Sequence, residues 1–304
     1  MITDMSRSTV LGGGTVAALA TAGAARAASA PASGTVTAGG VDYYYEIAGD
    51  GDPLLMLHGG LGSFHMFDPI LPALMKTRTV IGVDLYGHGR TALTERHMDF
   101  HAFGDDMAAI LDALGYDQVD VLGYSFGAGV GFQLAARHPE KVRGLVLVSG
   151  GFASNGFFAE MRAQQAMVGA GMADMMKGTP MWTGYMAVAP NPEDFPRLLD
   201  EMGDYMRADY DWRADVSRLT MPVMLVWGDA DMFRPEHMVE FFHLLGGGLK
   251  DGGWMREYVT QNRLAILPGR THYEMGVAPE LVPTVLPFLD GREAKPVWTE
   301  EAKQ

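Results

Sequence analysis

Short apolar runs alternate with helical patterns along most of this chain, and this alternation constrains the fold more than any other feature. Two short strands are predicted first, at 35–39 and 43–47. Six apolar runs follow, at 54–57, 80–84, 119–122, 145–148, 224–227 and 264–267. Mostly continuous apolar runs are typical of strands buried on both faces, as in a parallel sheet. The sequence therefore predicts an α/β domain.

Helical patterns separate several of these runs. Apolar side chains recur at helical spacing over 103–114, and the pattern stops at Gly115. A second helix is predicted over 130–137, before Pro139, and a third over 235–245, which opens with a proline. Alternating strands and helices predict a doubly wound, mostly parallel sheet, in which ligands bind at the carboxyl ends of the strands.

Residues 152–215 interrupt the alternation, because they have helical periodicity and no strand-like run. We interpret this segment as a helical cap inserted into a core formed by 31–151 and 216–292, with a C-terminal tail at 293–304. The cap contains nine of the 22 methionines and many aromatic residues. Flexible thioethers and flat rings can line an adaptable apolar pocket, or they can form the core of a small helical layer.

Four aromatic residues are candidates for contact with a substrate. Phe157, Trp182 and Tyr185 lie in the predicted cap, and Tyr124 lies at the end of the predicted strand that begins at residue 119. An apolar cap of this kind favours a small or medium apolar molecule over a charged one.

Composition and charge exclude several classes of function. The net charge of -14 repels the phosphate backbone of nucleic acids and anionic membrane surfaces. The absence of cysteine excludes disulfides, thiolate nucleophiles and cysteine-ligated metals. We expect no nucleic-acid partner, no bound metal and no cofactor.

The first 30 residues are typical of an export signal. A short polar start precedes a small apolar stretch at 9–25, and Ala25-Arg26-Ala27 and Ala28-Ser29-Ala30 both fit the small-x-small cleavage pattern. The apolar stretch is too short and too rich in glycine and alanine to span a membrane. We therefore expect a periplasmic or secreted protein. The alternative is a disordered alanine-rich tail on a cytoplasmic protein.

The sequence Gly123-Tyr124-Ser125-Phe126-Gly127 lies between a predicted buried strand and a predicted helix. Such a sharp turn requires a positive φ at Ser125, so Gly123 and Gly127 must leave space beside it. The hydroxyl group then points away from the sheet, at the N-terminus of the following helix. The pattern predicts that Ser125 is a nucleophile.

A serine nucleophile needs a base, and the base needs a carboxylate that orients it. His272 follows the last predicted strand in a loop from which it can reach back. The other histidines lie before the serine or on predicted helices and their ends. Asp229 and Asp231 both follow the strand at 224–227, so either can supply the carboxylate.

An oxyanion that develops during attack on a carbonyl group needs two N–H donors. We expect one from Phe126, the residue after the nucleophile. The glycine-rich turn after the strand at 54–57 is expected to supply the other, from Gly60 or alternatively from Leu61. His58 is interpreted as a residue that fixes this turn by hydrogen bonding.

Several segments together resemble the α/β-hydrolase superfamily. They are the oxyanion-loop signature His58-Gly59-Gly60, the D-x-x-G-x-G-x-S/T turn at 84–91, the nucleophile elbow at 123–127, the G-x-x-D turn at 228–231 and the G-x-x-H loop at 269–272. The resemblance spans the chain after residue 30 and implies the α/β-hydrolase fold. It also implies that Asp231 is the acid, with Asp229 as the fallback. This chain has serine at the nucleophile elbow, whereas haloalkane dehalogenases and epoxide hydrolases have aspartate at that position.

The expected function is a carboxylesterase that cleaves a small or medium apolar ester through an acyl-enzyme on Ser125. A lactonase, a hydrolase of carbon–carbon bonds and an acyltransferase can use the same three residues. The alternative that is not an enzyme is a receptor, which has the same fold and binds a small molecule without catalysing a reaction.

Overall fold

One sheet organises the described part of the chain, which comprises residues 32–291 of a computed structural model. Its strands are β1 (Ala32–Ala38), β2 (Val41–Gly49), β3 (Asp52–Leu57), β4 (Arg78–Val83), β5 (Val119–Tyr124), β6 (Val142–Val148), β7 (Val223–Ala230) and β8 (Arg263–Thr271). They lie in the order β1-β2-β4-β3-β5-β6-β7-β8. β1 and β2 pair antiparallel, and β3 to β8 run parallel. Each of the eight predicted strands overlaps one of these strands and reaches at most one residue beyond it, whereas the observed strands extend up to four residues past the predicted bounds.

The helices connect the strands and lie on both sides of the sheet. They are α1 (Leu71–Leu74), α2 (Phe100–Ala113), α3 (Phe126–Arg137), α4 (Ala159–Gln165), α5 (Ala173–Met176), α6 (Pro180–Val188), α7 (Phe195–Arg207), α8 (Pro235–Leu244) and α9 (Leu281–Leu289). Short 3-10 helices lie at Phe64–Phe67, Pro139–Lys141, Ser154–Gly156, Ala170–Met172, Pro192–Asp194, Arg213–Arg218 and His272–Val277. The three predicted helices correspond to α2, α3 and α8, and α2 and α3 begin earlier than predicted.

The two faces of the sheet are covered by different helices, because successive side chains of a strand point to opposite faces. Leu55 and Leu57 of β3 pack in one cluster with side chains of α2, α3 and α8. Leu54 and Met56 pack in the other cluster with side chains of α1 and α9. Burial on both faces explains why the strands are apolar almost throughout.

Between β6 and β7 the chain forms α4, α5, α6 and α7 and adds no strand to the sheet. We call residues 152–215 the insertion. Its longest helix, α7, buries Phe195, Leu198, Leu199 and Met202 on one face. These positions follow the i, i+3, i+4, i+7 spacing of an amphipathic helix that packs against a core.

The predicted export signal at 1–30 and the predicted tail at 293–304 lie outside the described residues, and both remain predictions. Within residues 32–291, the helices are too short or too polar to cross a membrane. In the same part of the chain, histidine and acidic side chains form no cluster of three that could hold a metal ion.

Candidate active site

Ser125 occupies a sharp turn between β5 and α3. Its φ of 54° confirms the positive value expected from the motif. The turn leaves no room for side chains beside it: a Cβ atom on Gly123 would lie 2.3 Å from the Gly127 carbonyl oxygen, and one on Gly127 would lie 2.1 Å from the Leu57 carbonyl oxygen. The Ser125 N–H donates to the Val148 carbonyl oxygen on β6 at 2.9 Å, which ties the turn to the neighbouring strand.

The structure brings Ser125, His272 and Asp231 together in one chain of hydrogen bonds. Ser125 Oγ lies 2.9 Å from His272 Nε2, and His272 Nδ1 lies 2.9 Å from Asp231 Oδ1. A carboxylate only accepts hydrogen bonds, so the proton of the neutral imidazole is on Nδ1 and Nε2 accepts from the serine. This arrangement can remove the hydroxyl proton during nucleophilic attack.

Asp229, the alternative acid, lies elsewhere. Its Oδ1 atom accepts a hydrogen bond from the Gly269 N–H at 2.7 Å, and the residue is exposed. β7 extends through Ala230, which pairs with Thr271 of β8. The predicted acid turn and the predicted base loop are therefore largely strand, and Asp231 and His272 directly follow the two strand ends.

Ser149 also contacts the acid, and the sequence interpretation missed it. It follows β6 directly, is 1% exposed, and donates from Oγ to Asp231 Oδ2 at 2.5 Å. Asp231 Oδ1 additionally accepts from the Met232 N–H at 2.7 Å. The available signal was a polar residue directly after an apolar strand, at the sheet edge where Ser125 and Asp231 were expected.

The predicted oxyanion donors lie beside the nucleophile. A Cβ atom on Gly60 would lie 3.7 Å from Phe126 Cβ, and one on Gly59 would lie 3.5 Å from Ser125 Cβ. Within residues 32–291, the backbone N–H groups of Gly60, Leu61 and Phe126 donate no hydrogen bond. All three groups are therefore available to a ligand, and Gly60 and Leu61 both remain candidates for the second donor.

Backbone and side-chain bonds fix the turn that carries Gly60. The Gly62 N–H donates to the Gly59 carbonyl oxygen at 3.2 Å, and Leu61 has a φ of 57°. His58 is fully buried, with Nδ1 2.8 Å from the Gly59 carbonyl oxygen and Nε2 accepting from the Leu85 N–H at 2.9 Å. Burial lowers the pKa of His58 to about 4, so the ring is neutral at neutral pH. The interpretation of His58 as a residue that fixes the turn is confirmed.

Tyr124 has contacts that differ from those expected of a substrate-binding residue. Its hydroxyl group donates to the His272 carbonyl oxygen at 2.6 Å, and its ring lies against the backbone of Gly59 and Gly276. Its side chain belongs to the cluster on the α1 and α9 face, because strand alternation points it away from the insertion. Tyr124 therefore supports the backbone of His272 from the face of the sheet that α1 and α9 cover. Burial raises the pKa of its hydroxyl group.

The three candidates in the insertion occupy different positions. Phe157 stacks on Phe233 with 4.2 Å between ring centroids, and Phe233 lies 6.4 Å from the His272 ring. Tyr185 is buried on α6 with its ring 5.2 Å from that of Phe195, inside the insertion. Among the described residues, no hydrogen bond or ring contact joins Trp182 or Tyr185 to the catalytic candidates. Phe157 is therefore the one of the three that the structure brings near His272.

Comparison with known proteins places this geometry in a family. A family model described as the alpha/beta hydrolase fold matches residues 52–184. A pimeloyl-(acyl-carrier protein) methyl ester esterase from Neisseria meningitidis serogroup B is 33% identical over 215 residues, which cover 62% of this chain and 78% of the relative. A 2-hydroxymuconate semialdehyde hydrolase from Pseudomonas sp. strain CF600 is 38% identical over 119 residues, which cover 37% of this chain and 41% of the relative.

Solved structures show the same fold. The carboxylesterase CesB from Bacillus subtilis has a TM-score of 0.64 and 20% sequence identity, over 87% of this chain and 93% of that chain. The order of the strands, the turn at Ser125 and these similarities all agree. The chain belongs to the α/β-hydrolase superfamily.

Proposed function

We propose that this hydrolase cleaves a small or medium apolar carboxylic ester through an acyl-enzyme on Ser125. The hydrogen-bonded chain from Ser125 through His272 to Asp231 carries the proposal, since it is the arrangement that activates a serine hydroxyl. The esterases among the similar proteins support an ester as the substrate.

In the first half of the reaction, Ser125 Oγ attacks the ester carbonyl carbon and transfers its proton to His272 Nε2. The carbonyl oxygen becomes an oxyanion, which accepts hydrogen bonds from the Phe126 N–H and from Gly60 or Leu61. The carbon–oxygen bond to the alcohol then breaks, and the imidazolium protonates the leaving alcohol. Asp231 stabilises the imidazolium and keeps the ring in the required orientation.

In the second half, water attacks the acyl-enzyme. His272 takes a proton from the water molecule, a second oxyanion forms in the same place, and the ester bond to Ser125 breaks. The proton returns to Ser125 Oγ, and a carboxylic acid leaves. Atoms and charges balance without a cofactor.

Side chains near the site favour an apolar substrate. Phe157 and Phe233 lie on the His272 side, while the Tyr205 ring lies 5.8 Å from that of Phe126. Met202 lies next to Gly60. None of these side chains carries a charge that would attract an anionic or cationic substrate, and the partly exposed Phe157 and Tyr205 offer apolar surface beside the site.

The proposal is tested by steady-state and burst kinetics with p-nitrophenyl esters of acetic to octanoic acid. We expect turnover by the wild-type protein, and a fall in kcat of about 10³-fold or more in Ser125→Ala, His272→Ala and Asp231→Asn, because the three residues act as a unit. Asp229→Asn is the matched control and should change kcat only a few-fold. Absence of both burst and turnover on every ester would contradict the proposal.

Hydrolysis of a carbon–carbon bond is the second candidate, favoured by the similarity to 2-hydroxymuconate semialdehyde hydrolase. A vinylogous 1,5-diketone substrate separates the two. Turnover of the diketone with a kcat/KM far above that of every ester would favour this candidate over the esterase.

A further inference from the structure

Helix α7 lies across the carboxyl ends of three neighbouring strands. A Cβ atom on Gly87, which follows β4, would lie 3.3 Å from Leu198 Cδ1. A Cβ atom on Gly60, which follows β3, would lie 2.7 Å from Met202 Cε. The Tyr205 ring packs edge-on against the ring of Phe126, which follows β5.

These contacts follow the sheet in order. Leu198, Met202 and Tyr205 form one stripe along α7, at i, i+4 and i+7, and they meet the ends of β4, β3 and β5 in turn. Met202 is the middle residue of the stripe and is 1% exposed. Its methyl group therefore lies on the backbone of a predicted oxyanion donor.

The catalytic base comes from the other side of Ser125. Asp231 follows β7 and His272 follows β8, whereas Met202 lies above β3, and β5 with Ser125 lies between the two sides. The stacked rings of Phe157 and Phe233 also lie on the His272 side. The order of the strands thus gives the site two sides. The Met202 side lies over β3, and the His272 side lies over β7 and β8, with Ser125 between them.

Reaction chemistry decides which part of an ester lies on each side. The leaving alcohol must lie beside His272 Nε2, because that atom protonates it. The oxyanion lies between the two N–H donors, so the acyl chain is the remaining substituent of the tetrahedral carbon. It extends away from His272, toward the side that α7 covers.

We propose that Met202 contacts the acyl chain of the substrate and limits the length of chain that the site accepts. This inference rests on the proposed ester hydrolysis and adds the residue that determines acyl selectivity. Because Met202 is 1% exposed, its flexible thioether must turn away from Gly60 when an acyl chain enters the site. Met202 therefore adapts to short chains and obstructs long ones. The Phe157 and Phe233 rings contact the alcohol portion.

The test crosses two substrate series. One varies the acyl chain from acetate to octanoate in p-nitrophenyl esters, and the other varies the alcohol from methyl to hexyl in butyrate esters followed by pH-stat. In Met202→Ala we expect the ratio of kcat/KM for octanoate to that for butyrate to rise about tenfold or more, because each buried methylene contributes that order of discrimination. The alcohol series should keep its wild-type profile.

Two further variants complete the design. Met202→Phe should move the optimum to shorter acyl chains, so it tests the same inference in the opposite direction if Met202→Ala fails to fold. Met175→Ala is the matched control, since Met175 lies in the same insertion and is 72% exposed. It should leave both series unchanged.

The outcomes separate this inference from the proposed function. An active wild-type enzyme whose acyl profile is the same in Met202→Ala and Met202→Phe would overturn the role of Met202 alone. A change confined to the alcohol series would show that the alcohol, and not the acyl chain, lies on the Met202 side, and it would overturn the proposal. A wild-type protein that cleaves no ester of either series would overturn the proposed function, and the role of Met202 with it.

Discussion

Ser149 illustrates how much of the geometry of the candidate site depends on single residues. It adopts a φ of 52°, in the left-handed region that residues with a side chain rarely occupy. Its N–H donates to the Val226 carbonyl oxygen at 2.8 Å, while its hydroxyl group donates to Asp231. The strained backbone thus directs the hydroxyl group at the acid, and the acid in turn orients His272.

We predict that Ser149→Ala lowers kcat about tenfold or more and leaves KM nearly unchanged. Losing a hydrogen bond to a buried carboxylate costs about 1.5–3 kcal/mol, and Asp231 acts on the transition state through His272. Steady-state kinetics with the best ester substrate would measure the effect.

Ser154→Ala provides the control for this prediction, because Ser154 is a buried serine that bonds to the backbone of Tyr210 in the insertion. It should retain wild-type kinetics. An equal loss of kcat in both variants would indicate a general loss of stability, and an unchanged kcat in Ser149→Ala would refute the positioning role.

At the scale of elements, local pattern predicts the strands of the sheet and the helical character of the insertion, but not which side chains of the insertion pack over the candidate site. The apolar runs identify β3 to β8, because strands buried on both faces have a composition of their own. The candidate catalytic residues could be proposed because Ser125, Asp231 and His272 directly follow three of those strands. Parallel strands bring such positions to the same edge of a sheet.

The residues that we propose contact the substrate could not be predicted in the same way. Tyr124 was a candidate for contact with a substrate, whereas strand alternation points its side chain to the face that α1 and α9 cover. The helical pattern of the insertion gave no means of distinguishing Met202, which packs on Gly60, from Met175, which faces solvent. The difference depends on how α7 packs across the sheet edge, and this is a tertiary contact without a local signal.

At the scale of the whole molecule, three buried histidines make stability depend on pH. Burial lowers the pKa of His58 and His237 to about 4 and that of His88 to about 3. His237 lies between the rings of Phe152 and Phe233, and neither of its ring nitrogens has a hydrogen-bond partner among the described residues. The folded protein therefore holds all three rings neutral at neutral pH.

The sign of the pH effect follows from these values. Between the ordinary histidine pKa of 6.5 and a pKa of about 4, the unfolded chain binds a proton at His237 that the folded chain does not. Stability is therefore fully present above about pH 6.5 and is lost as the pH falls toward 4. Glu240, Arg234, Arg213 and Asp211 are the charged groups that act on this ring.

We predict that His237→Phe reduces the acid-induced loss of stability. Phenylalanine keeps the stacking between Phe152 and Phe233 and removes the titrating group. The fall in the free energy of unfolding between pH 7 and pH 4, measured by urea denaturation, should be about 2–3 kcal/mol smaller than in the wild type. His97→Gln, at an 88% exposed side chain, is the control and should leave the fall unchanged. An equal fall in wild type and His237→Phe would contradict the prediction.

The central claim is that His272 and Asp231 activate Ser125 as a nucleophile, and covalent labelling tests it most directly. The folded protein would be treated with a fluorophosphonate, and the adduct would be located by mass spectrometry of its peptides. We predict one adduct per chain, on Ser125, with no labelling in Ser125→Ala and a labelling rate about 10³-fold lower in His272→Ala. An adduct on a different residue, or an unlabelled wild-type protein, would contradict the claim.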